Sequence, residues 1–487
     1  MLEFETSNGN KYAWEDEIGL FIPYSPIINA IIDEISNKNQ ISKEDIIEKF
    51  KNDFEVNEIE FYYNWAKKLM KIKHNAQIDR DLISPSLKRA ILKDGLNQLT
   101  LEATEDCNFR CVYCVFSDNY IYSRKHSNKY MDIDTAIDAI DCYFSLIKEG
   151  KRYNPLRKPA VSFYGGEPLL NFELIKDSVN YINRKYNNYE VIYTITTNGS
   201  LLNKEKAEWL IQHNFNIAVS ICGPEEEHDR LRIYGNGNGT FKDIMQNIDS
   251  IGDTGRGKIR SIAVFDLRTD LFKLEAFFNR SDIPPIVSAT MVGKFEGCKY
   301  FEQFSENDYY LFRKQLEWAK KCYINNTDHR IEKKKPSFFD TLFGKAATVC
   351  IYAPFQVLPR YSIMPYTGAC IPGTSIFADV DGNFHACERI YRGFPIGSVR
   401  EGLNFEKIGR MLEEYIQHMD KCPTCNMKRM CNKCYQYLTT DKEFLYTSKI
   451  CLDEELNQKE LLARAFTIGE LNPKAIESLK RRNENVF

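Results

Sequence analysis

The first 75 residues combine short strand-like stretches with helical periodicity. Residues 4–14 and 19–24 predict two short strands around a polar turn. Isoleucines at helical spacing predict a first helix, and Ser42 followed by acidic residues predicts the start of a second. Apolar positions over residues 57–72 predict a third. Two strands and three helices of this size predict a winged helix-turn-helix unit over residues 1–75.

The pattern changes after a polar linker over residues 76–97, which contains Pro85 and predicts one short helix. Between residues 98 and 295, short apolar runs alternate with longer stretches of helical periodicity, which predicts a parallel sheet with crossover helices. Six repeats are too few for a closed eight-stranded barrel, so they predict an α/β fold, a partial (β/α)6 barrel with its active site at the C-terminal strand ends. The predicted strands are 99–103, 160–164, 191–197, 217–221, 259–265 and 286–291.

The remainder of the chain is irregular. Residues 296–345 are rich in Lys, Tyr and Phe and predict a bridging segment with one helix. Residues 346–455 are loop-rich and dense in cysteine, with a hairpin predicted at Asp381-Gly382. Because this region has few long apolar stripes, it needs metal ligation to hold its fold. Residues 456–487 predict terminal helices.

Composition narrows the class of protein. The chain has 487 residues and a formal net charge of −3, which predicts about three domains. No apolar run reaches the ~18 residues of a membrane span, and the acidic N-terminus has no signal-peptide pattern, so we expect a soluble, cytoplasmic protein. Fifteen cysteines in a reducing compartment indicate metal binding or catalysis rather than disulfides.

Charge also bears on the N-terminal unit. Residues 1–75 contain nine lysines, no arginine and fourteen acidic residues, a net charge of −5. Such a surface repels the phosphates of nucleic acid. A peptide is the better partner, because an exposed strand edge can pair with an extended chain.

Three cysteines, Cys107, Cys111 and Cys114, directly follow the first strand of the predicted barrel. Three thiolates can hold three irons of a 4Fe–4S cluster and leave the fourth iron free for another ligand. Structural zinc takes four closed ligands, and the next histidine, His126, is twelve residues further on. The spacing therefore favours iron–sulfur over zinc.

This C-x3-C-x2-C triplet, with the aromatic Tyr113 before its last cysteine, resembles the signature of the radical S-adenosylmethionine (SAM) superfamily. The resemblance implies that the cysteines bind a catalytic 4Fe–4S cluster that holds SAM. It also implies that a second motif, at the end of the second strand, contacts the amino group of SAM. Glycines allow close backbone approach there, and the Glu167 carboxylate is expected to offset the ammonium charge. The motif residues are Gly165, Gly166, Glu167 and Pro168.

Two further segments resemble the family's SAM-binding elements. Asn198 lies in the sequence Thr-Thr-Asn-Gly, which resembles the ribose-side segment. Ser220 and Arg232 match positions that contact SAM, and an arginine fork suits the methionyl carboxylate; the alternative for Arg232 is a surface arginine. Cys222 stands where the family usually has aspartate.

The C-terminal cysteines resemble a SPASM domain, which binds two auxiliary 4Fe–4S clusters. The spacing departs from the family's only between the fifth and sixth cysteines, where two residues replace three. A zinc ribbon would use only four of the seven. By resemblance, the first cluster takes Cys370, Cys387 and Cys434, and the second takes Cys422, Cys425, Cys431 and Cys451.

Cys350 is the remaining candidate for a cluster ligand. It either provides the fourth ligand of the first auxiliary cluster or leaves that iron open to a substrate thiolate.

The N-terminal unit resembles the precursor-recognition element of enzymes that modify ribosomally made peptides. Together these resemblances imply a peptide maturase that forms Cys thioether cross-links through a 5′-deoxyadenosyl radical. Its partners would be a precursor peptide, whose leader the N-terminal unit binds, and an external low-potential electron donor. The alternatives are a carbon–carbon cross-link, epimerisation, or formylglycine formation in a sulfatase. A zinc-containing DNA-binding regulator and a simple electron-transfer protein fit the motifs less well.

Overall fold

The structure, a computed structural model, describes residues 1–484 except 17–18, 38–40, 73–82, 296, 326–334, 353–369, 418–421, 423–424, 429, 432, 439, 441–442 and 444–447. The strands are β1 Leu2–Glu5, β2 Lys11–Glu15, β3 Leu20–Pro23, β4 Leu99–Thr104, β5 Ala160–Gly165, β6 Ile192–Thr197, β7 Phe215–Ser220, β8 Ile259–Phe265, β9 Ile286–Met291, β10 Ile376–Ala378, β11 Asn383–His385, β12 Gly397–Ser398 and β13 Gly402–Leu403. The helices are α1 Ile27–Asn37, α2 Lys43–Phe50, α3 Val56–Ile72, α4 Ile83–Asp94, α5 Ile133–Gly150, α6 Phe172–Lys185, α7 Lys204–Gln212, α8 Glu225–Leu231, α9 Phe241–Ser250, α10 Gly252–Arg256, α11 Leu271–Phe278, α12 Glu306–Asn325, α13 Lys345–Tyr352, α14 Phe405–Gln417, α15 Tyr435–Leu438, α16 Ser448–Leu471 and α17 Pro473–Glu484.

The N-terminal unit contains one more strand than the sequence pattern predicts. Residues 4–14, predicted as one strand, belong to two: β1 and β2 pair antiparallel, and β3 adds to β2. The chain reverses between them at Thr6-Ser7-Asn8-Gly9-Asn10, where Gly9 has a φ of 84° that favours glycine. The predicted start of α2 is confirmed, because the Ser42 side chain accepts a hydrogen bond from the Asp45 backbone N–H and the Asp45 carboxylate accepts one from the Ser42 backbone N–H.

The predicted parallel sheet is confirmed. Strands β4 to β9 lie side by side in chain order, all parallel, with helices in the connections. The sheet is larger than predicted, since β10 pairs parallel with β4 and β11 to β13 continue antiparallel to a total of ten strands. The hairpin predicted at Asp381-Gly382 joins β10 to β11. The cysteine-rich region is thereby continuous with the first barrel strand.

Three apolar clusters hold these parts together. The largest lies around the ten-stranded sheet and reaches the C-terminal helices through Ala465 and Ile476. A second, with Ile31, Ile46 and Ile59 at its centre, holds α1 to α3. The third joins one face of the N-terminal sheet to the cysteine-rich region and α16; its buried members are Leu2, Phe4, Trp14, Met427, Met430 and Leu462.

Polar contacts reinforce the third cluster. Tyr12 and Thr6 donate hydrogen bonds to the two carboxylate oxygens of Glu470 at 2.8 and 3.0 Å. The Phe466 ring packs against Phe4 and Tyr12, with ring centroids 5.1 and 4.8 Å apart. The N-terminal sheet is therefore fastened to α16 as well as to its own helices.

None of the helices in the described part of the chain combines the length and the apolar composition that crossing a bilayer requires.

We predict that Phe466→Ala loosens the N-terminal sheet from α16, because it removes a ring shared by Phe4, Tyr12 and Phe21. For a half-buried phenylalanine the expected loss of stability is about 2–3 kcal/mol. Hydrogen exchange of residues 2–23 measures it. Leu452→Ala, on the same helix but 63% exposed, is the control and should leave exchange unchanged. Equal exchange in both variants would contradict this packing role.

Candidate active site

The cysteine triplet lies in the loop that leaves β4. The loop is fixed from outside by two backbone hydrogen bonds, from Arg110 N to Ile233 O at 2.7 Å and from Val112 N to Leu231 O at 3.0 Å. Within it, Cys114 N donates to Cys111 O at 3.0 Å. The tight turn draws the three thiols into one region at the carboxyl end of the sheet.

Burial has the largest effect on the pKa values of these thiols. It raises the pKa of Cys107 and Cys111, and it raises the pKa of Cys114 to about 12. The charges of Cys111 and Cys114 raise the pKa of Cys107 further. Metal ligation requires thiolates, so an ion or cluster bound here must displace protons.

In the described residues, no group of three or more His, Cys, Asp or Glu converges as the ligands of one metal ion would. In a 4Fe–4S cluster each cysteine binds a different iron, and three thiolates of this spacing fit such a group.

His126 is close to the triplet in space despite its distance along the chain. Its Nε2 lies 3.7 Å from Cys114 Sγ, and its Nδ1 lies 3.1 Å from the Glu105 carbonyl oxygen. A carbonyl only accepts hydrogen bonds, so Nδ1 carries the proton and Nε2 of the neutral ring accepts from the Cys114 thiol. His126 is therefore a neighbour of the triplet in space, although it lies twelve residues from Cys114 in the sequence.

The glycine pair allows β5 to end directly against the start of the cysteine loop. A Cβ on Gly165 would lie 2.1 Å from Thr104 O, and one on Gly166 would lie 2.0 Å from Asp106 O. Hydrogen bonds from Gly166 N to Thr104 O and from Glu167 N to Asp106 O, both 2.8 Å, hold this approach. Neither position accepts a larger residue without moving the backbone that leads to Cys107.

Glu167 is wholly buried, and both of its carboxylate oxygens accept hydrogen bonds from the protein. Oε1 accepts from Leu169 N at 3.0 Å and from Thr197 Oγ1 at 2.7 Å, and Oε2 accepts from Asn198 N at 2.7 Å. The carboxylate thus ties the end of β5, where Pro168 opens a short 3-10 turn, to the end of β6. The sequence suggested a contact with the SAM ammonium; the structure shows a bridge between two strand ends.

Asn198 continues the connection to the cysteine loop. Its Nδ2 donates to Asn108 Oδ1 at 2.8 Å, and its Oδ1 accepts from Ser200 N at 2.9 Å. Ser220, the last residue of β7, lines the same cavity as Asn198. The ends of β4, β5, β6 and β7 therefore form one wall.

Arg232 is buried beside the triplet, which excludes the surface alternative: the residue is 6% exposed. Its Nη1 donates to the Tyr113 hydroxyl at 2.5 Å, and that hydroxyl lies 3.7 Å from Cys222 Sγ. The guanidinium packs over the Phe109 ring. Within the described residues its Nε has no hydrogen-bond acceptor. A buried cation with an unused donor fits a carboxylate such as that of SAM.

The cavity enclosed by these elements has a volume of about 370 Å³. Its far wall contains residues that the sequence did not single out. Arg389 and Tyr437 come from the cysteine-rich region, and Ser288 and Thr290 come from β9. The only sequence signal for the first two is their position just after Cys387 and Cys434. The lining also contains Cys107, Cys111, Cys114, Tyr113, Tyr164, Gly165, Gly166, Glu167, Asn198, Ser220 and Arg232.

All fifteen cysteines are described, none in a disulfide. The charges of Cys434 and Cys370 act on the Cys387 thiol, whose pKa burial raises. The second set is separate: burial raises the pKa of Cys422 to about 12, and Cys431, Cys451 and Cys425 act on it. These electrostatic interactions run within the two sets that the resemblance assigns to auxiliary clusters, and cluster binding by each set stays a prediction.

Cys350 is the remaining candidate ligand. Burial raises its pKa to about 11, and the charged group acting on it is Arg464 rather than another cysteine. It packs against the largest apolar cluster, as Cys387 and Cys434 do, and against the third, as Cys425 and Cys431 do. Its apolar contacts therefore assign Cys350 to neither group, and its role as a fourth ligand stays a prediction.

We predict that Gly166→Ala abolishes SAM binding, because the added Cβ displaces the Asp106 backbone. Equilibrium dialysis of the iron-loaded protein with SAM measures the loss, expected to exceed tenfold. Gly235→Ala is the control, because its Cβ would meet nothing nearer than 4.0 Å. Wild-type affinity in Gly166→Ala would show that the close approach is dispensable.

Comparison with known proteins agrees with this geometry. Residues 101–267 match the family model of the Radical SAM superfamily. A cysteine-type anaerobic sulfatase-maturating enzyme of Clostridium novyi is 28% identical over 357 residues, 69% of this chain and 87% of that enzyme. An uncharacterized protein of Methanocaldococcus jannaschii is 37% identical over 155 residues, 32% of this chain and 48% of that protein, so the chain aligns with about half its length.

A solved structure described as native anSMEcpe with bound AdoMet and Cp18Cys peptide superposes with a TM-score of 0.54 at 18% identity, covering 77% of this chain and 99% of that one. At this identity the likeness concerns the fold. The family match and the arrangement of the triplet, the glycine pair and Arg232 lead to one conclusion: residues 101–267 form a radical SAM superfamily domain, the type of domain that uses a 4Fe–4S cluster and SAM.

Proposed function

We propose that this protein is a radical SAM enzyme that forms thioether cross-links in a cysteine-containing precursor peptide. The observation that carries the proposal is the cavity wall shared by the triplet and the cysteine-rich region, where Arg389 and Tyr437 face the SAM-site residues. A substrate in this cavity would lie between the SAM site and the group Cys370, Cys387 and Cys434. The sulfatase-maturating relative, by its name, also acts on a protein substrate.

The chain's own residues would bind the cofactors and position the peptide. Cys107, Cys111 and Cys114 would hold the SAM-site cluster, and Arg232 would bind the SAM carboxylate through its unused donor. Glu167 keeps the ends of β5 and β6 in register for this contact. When bound, the cluster and SAM supply a 5′-deoxyadenosyl radical that abstracts hydrogen from a carbon. The cavity walls orient the peptide carbon and exclude water.

The thioether assignment rests on the cysteine count of the first auxiliary group. Cys370, Cys387 and Cys434 would hold three irons, and the charge that acts on Cys350 is that of Arg464 rather than that of any of these three thiols. A position remains for a thiolate from outside the chain. A substrate cysteine bound there would be held for attack on a neighbouring carbon. The second auxiliary cluster would be held by Cys422, Cys425, Cys431 and Cys451. An external donor would supply the electron that cleaves SAM, and the auxiliary clusters would accept the electron released when the carbon–sulfur bond forms and the thiol proton leaves.

The N-terminal unit is proposed to bind the peptide's leader. Its sheet has two edges, β1 and β3, and each pairs only with β2 among the described strands. β1 has the more extensive contact with α16, which β3 touches through the Phe21 ring, so β3 is the more accessible edge. An extended peptide can add to β3 as a further strand, with main-chain hydrogen bonds supplying affinity. Exposed Phe61 and Val56 on α3 provide apolar contact area on the same unit.

Formylglycine formation in a sulfatase is the second candidate. The extent of the sulfatase-maturating relative's alignment, 87% of its length, favours it. The two reactions differ in product. A thioether-forming enzyme removes two hydrogens from a peptide and consumes a thiol, whereas formylglycine formation leaves an aldehyde.

We predict different iron contents for three cysteine variants. Cys107→Ala should abolish 5′-deoxyadenosine formation while auxiliary iron remains, and Cys387→Ala should lose one cluster's iron. Cys350→Ala, the matched control, should keep wild-type iron because the charge that acts on its thiol is that of Arg464 and not that of a cysteine in the first group. Anaerobic reconstitution, iron analysis and chromatography of the SAM cleavage products measure these outcomes. Wild-type 5′-deoxyadenosine formation in Cys107→Ala would overturn the assignment of the SAM site.

We predict that the loaded enzyme, incubated anaerobically with a cysteine-containing precursor peptide, yields a product lighter by two hydrogens and resistant to thiol alkylation. Tandem mass spectrometry locates the linkage. A sulfatase-derived peptide is the comparison substrate. An aldehyde on that peptide, detected with a hydrazine reagent, together with an unmodified precursor peptide, would establish sulfatase maturation and contradict the thioether proposal.

A further inference from the structure

Arg124 is a buried charge without a hydrogen-bond acceptor. The residue is 2% exposed, and within the part of the chain that the structure describes none of its Nε, Nη1 and Nη2 atoms has a hydrogen-bond partner. A guanidinium carries five N–H donors, and leaving buried donors unsatisfied is costly. So many unused donors on one side chain indicate an acceptor that is not a protein group.

The protein groups around Arg124 leave its N–H donors free for such an acceptor. Glu102 Oε2 lies 3.6 Å from Nη1, which is an ion pair too long for a hydrogen bond. That carboxylate is shared with Arg392, also at 3.6 Å. The Phe377 ring covers one face of the guanidinium, 4.6 Å from its central carbon. Stacking on a ring leaves the in-plane N–H groups available.

The remaining neighbours belong to the cysteine-rich region. Besides Glu102, the charges that act on Arg124 are those of Asp379, Cys387 and Glu388. Arg124 lies in the loop that follows the SAM-site triplet, ten residues beyond Cys114. The side chain therefore lies between the loop of the triplet and the hairpin that leads to Cys387, since Phe377, on which it stacks, pairs with His385.

We propose that Arg124 donates hydrogen bonds to the sulfur atoms of the auxiliary cluster held by Cys370, Cys387 and Cys434, and raises the reduction potential of that cluster. This inference rests on the proposed function, which places a cluster there. Hydrogen bonds to sulfur and nearby positive charge stabilise the reduced, more negative cluster. Arg124 is a positioning residue: it acts on the cluster and contacts neither SAM nor peptide.

The test is an EPR-monitored redox titration of the full chain carrying Cys107→Ala, Cys111→Ala and Cys114→Ala, so that only auxiliary clusters give signals. Cys387→Ala identifies the signal of the first cluster. In Arg124→Met the ratio of reduced to oxidised first cluster at a fixed potential should fall about tenfold, a lowering of about 59 mV for one electron. Glu102→Gln should shift the potential the opposite way, because it removes a negative charge beside the same guanidinium.

Two controls distinguish an effect on the reduction potential of the cluster from an effect on the folding stability of the protein. The second auxiliary cluster in the same samples, and the exposed Arg152→Met variant, should show unchanged potentials. Arg124→Lys keeps the charge without the planar fork and should lower the potential by less than Arg124→Met. A merely structural role predicts loss of folded protein with no shift in any retained cluster.

The outcomes distinguish this inference from the proposed function. Retained iron with unchanged first-cluster potential in both Arg124→Met and Arg124→Lys overturns the role of Arg124 and leaves the proposed function intact. Equal iron content in the parent and in Cys387→Ala shows that no cluster is bound by this group. That result overturns the auxiliary-cluster part of the proposed function, and this inference with it.

Discussion

The burial of the cysteine thiols determines how this protein can bind metal at its three cysteine groups. Burial raises the pKa of nine cysteines in the three groups, to about 12 for Cys114, Cys422 and Cys431. The nearby cations compensate in part: Arg232 lowers the pKa of Cys111, and Lys428 lowers that of Cys422. Such thiols are protonated at neutral pH. Ligand binding at these groups is therefore coupled to proton release, and its free energy adds to the free energy of folding.

The SAM-site geometry depends on strand ends that touch. Parallel strands in chain order bring the residues after β4, β5, β6 and β7 to one edge, but this alone leaves their loops free to diverge. Gly165 and Gly166 remove the side chains that would separate β5 from the β4 loop. Glu167 then joins β5 to β6, and Asn198 joins β6 to the cysteine loop. Each loop is held by its neighbour, so the residues predicted to contact SAM are preorganised before any ligand binds.

Features with a local physical cause could be predicted from the sequence, and features that need distant partners could not. The Ser42 cap and the six parallel strands follow from turn chemistry and hydrophobic period, and the structure contains both. Strand β10, three residues long, carries no periodic signal, and its pairing with β4 depends on a segment more than 270 residues away. The stacking of Arg124 on Phe377 likewise joins residues far apart in the chain. His126 is only twelve residues from Cys114, but their contact depends on the path of an irregular loop that carries no periodic signal. The structure adds a second role for Glu167: its carboxylate, which is predicted to offset the SAM ammonium charge, also accepts hydrogen bonds from the ends of β5 and β6.

The N-terminal sheet, which we propose binds the peptide's leader, packs against the segment that contains the second cysteine group. Met427 and Met430 lie between Cys425 and Cys431 in the chain and are buried against Leu2, Phe4 and Trp14. The sheet that offers its β3 edge to a peptide therefore rests on the loop that would bind the second auxiliary cluster. Binding free energies coupled through a shared element are reciprocal. If the second cluster and a leader peptide bind as proposed, each would favour binding of the other through this shared contact.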